Sequence, residues 1–395
     1  MNKANLIFLS IVVMMISSCS KNDNDTNYNT IDSYPNVSKT FSGKIDLNKL
    51  LNYQNQSVPS YITKDNTSGN SITDKGATLG RILFYDKNLS ANNTISCSSC
   101  HKQVNAFGDD AIASVGINGT TTRHSMRLVN SRFANESKFF WDERATNLEN
   151  QTTQPIQNHI EMGFSGTNGD ASLASLITKL QNIGYYKELF RFVYGSDEIT
   201  ETKIQLALAQ FIKSIQSFDS KYDIGRASAA NENQNFSNFT AQENQGKNLF
   251  LTPPVFDATG NRTSGGLGCA ACHAAPEFDI DPNSRNNGII GVLNATGNDI
   301  TNTKAPSLRD LLNQRGEPNG PMMHTGNLAT LQNVIGHYGA INIAPGNTNL
   351  DPRLRPNGFG QQLHLTATEV NALTAFIKTL TGNVVYTDSK WSSPF

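Results

Sequence analysis

Cys97-Ser98-Ser99-Cys100-His101 and Cys269-Ala270-Ala271-Cys272-His273 are the two stretches on which the reading of this chain turns. Two thiols one helical turn apart, followed at once by an imidazole, form the attachment pattern of a c-type heme. The thiols meet the two vinyl groups on one porphyrin edge, and the adjacent histidine swings under the iron as proximal ligand. Other uses of paired cysteines explain less. A redox C-x-x-C needs no histidine and normally follows a strand, whereas Cys97 follows the polar run Ser90-Ala91-Asn92-Asn93-Thr94. A zinc site built from the four cysteines gives neither histidine a reason to be adjacent. A disulfide between cysteines this close is strained. Of the 5 cysteines only Cys19 lies outside the two motifs, so the expected cofactors are two covalently bound heme c groups.

Cys19 has its own context. Leu6 to Ile16 is almost wholly apolar after the single early charge of Lys3, a signal-peptide h-region too short to span a bilayer. It ends in Ile16-Ser17-Ser18-Cys19, which resembles a bacterial lipobox; an ordinary cleaved signal with a chance cysteine is the other reading. Residues 1–18 are therefore expected to be a lipoprotein signal peptide and 19–45 a flexible polar tether. This places the protein in the periplasm, held to a membrane, the outer one, only through a lipid on Cys19. Lys and Arg total 32 against 33 Asp and Glu, a net charge of −1, which gives no sign of a nucleic-acid partner.

The flanks of the motifs repeat as well. Leu79-Gly80-Arg81-Ile82-Leu83-Phe84 precedes the first and Gln245-Gly246-Lys247-Asn248-Leu249-Phe250 the second. Each reads as the first helix of a cytochrome c unit, packed across a last helix. Ile204 to Ile215 and Val370 to Leu380 have the helical periodicity for that partner, the latter with a threonine cap at Thr366. Arg226 to Asn238, rich in Asn, Ser and Ala, reads as linker, and no alternating strand pattern stands out. The expected fold is mainly α: two cytochrome c-type heme domains, 46–219 and 220–395, packed face to face.

At this point the chain resembles the bacterial diheme cytochrome c peroxidase family, which includes the MauG-type enzymes. The resemblance runs from about Leu79 to Gly382. It is carried by Leu83-Phe84-Tyr85-Asp86-Lys87-Asn88-Leu89-Ser90, Phe140-Trp141-Asp142-Glu143-Arg144-Ala145, Pro155-Ile156, Glu161-Met162-Gly163, Lys304-Ala305-Pro306-Ser307-Leu308-Arg309 and Pro321-Met322-Met323-His324-Thr325-Gly326, in the family's order. It implies a peroxidase reducing hydrogen peroxide to water at the N-terminal heme, ligated by His101. Electrons would arrive through the C-terminal heme, ligated by His273, from a small donor cytochrome or similar carrier. It also implies roles for Glu161 as the carboxylate that shuttles a proton between the two peroxide oxygens, for Gln151 as the group that orients peroxide, and for Trp141 as an electron carrier between the hemes. A MauG-like oxidase acting on an organic or protein substrate is the alternative reading.

Two departures from the family pattern sharpen the expectation. Many members cap the resting N-terminal iron with a histidine in a loop; here Ser114-Val115-Gly116-Ile117-Asn118-Gly119 puts Ile117 in that slot, which predicts an open, high-spin iron. At the position of the usual axial methionine of the second heme stands Tyr338, as in MauG-type members, with Met323 and His337 as rival ligands. Tyrosinate is a hard anionic donor that lowers the potential relative to methionine. Met126 can act as an apolar filler. The family often holds a calcium between its domains. Asn319 and Pro321 match its backbone contributors, but His124 stands where a ligating asparagine is usual, and imidazole is a poor calcium ligand.

Overall fold

The structure, a computed structural model, describes residues 33–395 apart from 136 and 281. The expected signal peptide, Cys19 and most of the tether lie outside the described residues. In chain order the helices are α1 (Pro35–Phe41), α2 (Asp74–Tyr85), α3 (Cys97–Cys100), α4 (Leu148–Thr152), α5 (Leu173–Gln181), α6 (Gly184–Tyr194), α7 (Glu201–Ser214), α8 (Lys221–Ala227), α9 (Ala241–Leu251), α10 (Leu331–Gly339) and α11 (Ala367–Lys378). Strands among the described residues form only three two-stranded hairpins: β1–β2 (Val115–Gly116, Gly119–Thr120), β3–β4 (Pro254–Phe256, Arg262–Gly265) and β5–β6 (His273–Ala274, Asp279–Ile280). The protein is mainly helical, as expected.

The expected pairs of first and last helices form, and each crosses at a glycine. Helix α2 starts where the Thr73 side chain accepts the Gly76 N–H at 2.9 Å, and residues 76 to 84 are all buried. It lies on α7 so closely that a Cβ on Gly80 would sit 2.0 Å from the Ala207 carbonyl oxygen. The second half repeats the device. Thr240 with Glu243, and Thr366 with Glu369, close capping boxes at the starts of α9 and α11. A Cβ on Gly246 would lie 1.9 Å from the Ala372 carbonyl oxygen. Backbone contact at this range admits hydrogen and nothing larger. Gly80→Val is therefore expected to destabilise the fold by about 3 kcal/mol, the upper end for overpacking. Urea unfolding of the heme-loaded protein would measure it, and an unchanged midpoint would mean that the helices can part at no cost.

Two hydrophobic cores result. The first gathers Leu79, Ile82, Phe84, Phe107, Leu189, Leu208 and Phe211; the second gathers Tyr222, Phe250, Phe278, Leu373 and Phe376. Three stretches differ from expectation. Within the expected tether, residues 35–41 are helical, and Val37 and Phe41 are buried in the first core. Glu188 holds this helix by accepting the Val37 N–H at 2.9 Å; two apolar side chains one turn apart suffice to dock it. The linker is part docked too, since Phe236 is buried and the Lys247 ammonium donates to the Gln234 carbonyl at 2.7 Å. Finally, the chain end returns to the first half. Val385 and Trp391 belong to the first core. Tyr53, Arg81 and Tyr85 donate to the carbonyls of Lys390, Ser392 and Trp391 at 2.5, 2.6 and 2.6 Å. A boundary at 219/220 thus leaves residues 385–395 on the wrong side.

Between the cores Arg309 is wholly buried. Its guanidinium meets Asp223 at 3.0 Å and Glu277 at 3.6 Å, and donates to the Pro276 carbonyl at 2.8 Å.

Candidate active site

Each C-x-x-C-H motif lies on a short helical turn, and the two histidines are held alike. The Nδ1 of His101 is 3.2 Å from the Phe107 carbonyl, and that of His273 is 3.3 Å from the Phe278 carbonyl. Both phenylalanines have a left-handed backbone, φ +59° and +54°, which turns the carbonyl back onto the ring. A carbonyl can only accept, so the proton sits on Nδ1 and the Nε2 lone pair is left for a metal. Burial lowers both imidazole pKa values, that of His273 to about 4, so both rings are neutral, the form that ligates. The four cysteines of the motifs are free of disulfides. This donor set fits two covalently attached hemes.

A cavity of about 230 Å³ is lined by His101 together with Trp141, Arg144, Gln151 and Glu161. The expected peroxidatic residues thus converge on one space. Gln151 comes from α4, which Asn147 caps. Glu161 comes from a loop in which the Asn158 side chain accepts the N–H groups of Ile160 and Glu161 at 2.9 and 3.2 Å. Burial raises the Glu161 pKa, and Arg144 pulls it part of the way back. Ile117 donates its N–H to the Glu161 carbonyl at 3.1 Å. Its side chain lies over Gly163, where a Cβ would come within 2.1 Å of its Cδ1, and it is not among the cavity's lining residues.

A second cavity, of about 620 Å³, is lined by Cys269, Cys272, His273, Pro321, Met323 and Tyr338, among others. The Asn287 amide nitrogen lies 3.2 Å from Met323 Sδ and 3.4 Å from the Tyr338 hydroxyl. Burial raises the Tyr338 phenol well above its ordinary pKa. The other rival, His337, faces away: its Nε2 is 2.9 Å from the Asn287 carbonyl and it does not line the cavity. Trp141 and Met126 line both cavities. The Trp141 indole donates to the His124 carbonyl at 2.7 Å and stands edge-on to His324, with centroids 6.1 Å apart.

A scan of family models matches residues 74–231 to the di-haem cytochrome c peroxidase family. A methylamine utilization protein MauG of Methylophilus methylotrophus is 30% identical over 325 residues, 80% of this chain and 85% of that protein. The chain belongs to the di-haem cytochrome c peroxidase family. A cytochrome c551 peroxidase of Nitrosomonas europaea is 29% identical over 78% of this chain and 80% of its own length. Among solved structures, a MauG-like protein associated with microbial copper homeostasis superposes with a TM-score of 0.67 at 28% identity, covering 86% of this chain and 99% of that one. The relatives of this diheme protein therefore include both peroxidases and MauG proteins.

Several neighbours of the site carry no signal in the sequence. Glu277 and Asp279 follow the second motif yet line the first cavity. The Asn130 amide donates to Glu277 at 3.0 Å, and burial pushes the two carboxyls up to about 8 and about 6. Arg144, whose guanidinium lies 3.5 Å over the Phe140 ring, was within the matched Trp141 stretch and detectable there. Where the family's ligating asparagine is usual, His124 turns its Nδ1 to the Ala111 carbonyl at 3.0 Å, and that side chain offers calcium no oxygen. No step is assigned to calcium.

Proposed function

We propose that this protein reduces hydrogen peroxide to water at the site built on His101, with electrons relayed from the site built on His273. One observation carries the reading: Glu161, a carboxyl that burial inclines to hold a proton, shares a cavity with the ligand of the first heme. When bound, the hemes supply iron that exchanges single electrons and, at the first, a place for peroxide to be activated. Glu161 takes the proton from the inner peroxide oxygen and returns it to the outer one. The Gln151 amide orients the peroxide, and Trp141, lining both cavities, conducts electrons between the sites. Electrons enter from a small cytochrome or similar carrier. The protein works in the periplasm, tethered to the outer membrane through lipidated Cys19.

Ile117 and Tyr338 favour a second reading, a MauG-like oxidase of an organic or protein substrate. Isoleucine cannot ligate iron, and a tyrosinate on the second heme stabilises its ferric state. The two readings part on turnover. Fast peroxide consumption with a reduced cytochrome as donor supports the first; slow oxidation of an organic partner alone supports the second.

Ferric spectra test the open site. One high-spin heme beside one low-spin heme, reacting with one equivalent of peroxide without prior reduction, is the expected result. Two low-spin hemes inert to peroxide would overturn it.

A further inference from the structure

Away from both cavities, two adjacent tyrosines of α6 share one carboxylate oxygen. The Tyr185 and Tyr186 hydroxyls donate to Asp86 Oδ2 at 2.6 and 2.7 Å, while Asp86 Oδ1 is engaged by the Asn88 backbone N–H at 2.8 Å. The two rings lie 4.7 Å apart. Tyr186 is wholly buried in the first core, against which Cys97, the thiol placed to hold the first heme, also packs. Tyr185 is half-buried, edge-on to Phe41 at 5.5 Å, which in turn packs on Phe395 at the protein surface.

We propose that Tyr186, Asp86 and Tyr185 form a radical outlet, through which oxidising equivalents leave the first heme for a one-electron phenolic donor too large for the cavity. This rests on peroxide activation at the His101 site. A buried phenol cannot give an electron unless its proton has somewhere to go, because the phenol radical cation is a strong acid in a medium that penalises charge. Here the acceptor is in place. An electron passes from Tyr186 to the peroxide-oxidised first heme as its phenolic proton moves to Asp86 Oδ2. The Tyr186 phenoxyl then takes an electron from Tyr185 and the first proton back from Asp86, while Asp86 Oδ2 receives the Tyr185 proton. An external phenol finally gives Tyr185 an electron, Asp86 returns the proton to it, and the donor releases its own proton to water. Each radical is neutral, and Asp86 ends as it began.

The test treats the heme-loaded full chain with one equivalent of peroxide, follows heme absorption, and freezes samples for EPR. Protein grown on ring-deuterated tyrosine is compared with the unlabelled form. An organic radical signal that narrows on deuteration, is lost in Tyr186→Phe, and persists without oxidising a bulky phenol in Tyr185→Phe is the expected result. Peroxide consumption with a cytochrome donor should be unchanged in Tyr185→Phe, which also shows that the variant is folded. A heme change without a tyrosine-derived radical, or phenol oxidation equal in all three proteins, overturns the outlet and leaves the peroxidase reading standing. No heme change with peroxide overturns both.

Discussion

Glu161→Gln is expected to slow the reaction of the ferric protein with hydrogen peroxide by ~10²–10⁴-fold, the usual weight of a positioned acid–base group. Glutamine keeps the shape of the side chain and its place in the cavity but cannot take up and return a proton. Burial raises the Glu161 pKa, so the carboxylate that must accept the proton becomes populated only above the ordinary glutamate range. The wild-type rate should rise with pH through that raised value, and the variant should be flat over the same interval. The stability effect has a definite sign. A carboxyl whose folded pKa lies above its unfolded one favours the fold at low pH and loses that contribution as pH rises through the folded value. Glu161→Gln should therefore be no less stable than wild type above neutrality. Stopped-flow absorption of the Soret band measures the rate, and unchanged ferric spectra confirm that both hemes are in place. A variant that reacts within about threefold of wild type would remove Glu161 from the chemistry.

Arg309→Met should be the most damaging single change to stability. The guanidinium is wholly buried and lies between Asp223 and Glu277. Removing it leaves two carboxyls without their cation, and breaking a buried pair in this way costs about 3–5 kcal/mol. Even with Arg309 in place burial pushes the Glu277 carboxyl up to about 8, so without it Glu277 should stay protonated to higher pH still. The deficit should accordingly narrow as pH falls and Glu277 takes up its proton. Urea melts at pH 5 and pH 8 would show this. A loss under about 1 kcal/mol at pH 8, the range of a surface pair, would mean that the pair is solvated in solution.

The helical core was legible because its determinants are local. Gly80 and Gly246 each sit in the repeated flank before a heme motif, and the threonine at 366 caps the helix it is expected to cap. The contents of the two cavities were legible for another reason: Trp141, Gln151, Glu161 and Tyr338 stand where the resemblance to a known family implies its site residues, although nothing intrinsic to a lone glutamate or tyrosine marks it. What escaped notice depends on chain folding back over long distances. Glu277 reaches the first cavity from the second half through Asn130, and Asn287 stands between Met323 and Tyr338 from a polar loop. Periodicity describes neighbours along the chain and is silent on such pairs. The short helix Pro35–Phe41 carries no such signal, because about two turns in a polar context look like tether until the docking site is known.

The return of the chain end to the first core bears on how this protein is made. Tyr53 closes on Lys390 and Tyr85 on Trp391, contacts between nearly opposite ends of the chain, and loop closure over such distances is slow. The first half leaves the ribosome well before the residues that complete it. Until they arrive, the groove that receives Trp391 is exposed, and the early product depends on being kept from aggregating. Heme attachment at Cys97 and Cys100 therefore has a window in which that half is still loosely closed, and fusing a bulky tag after Phe395 would lengthen that window at the expense of yield.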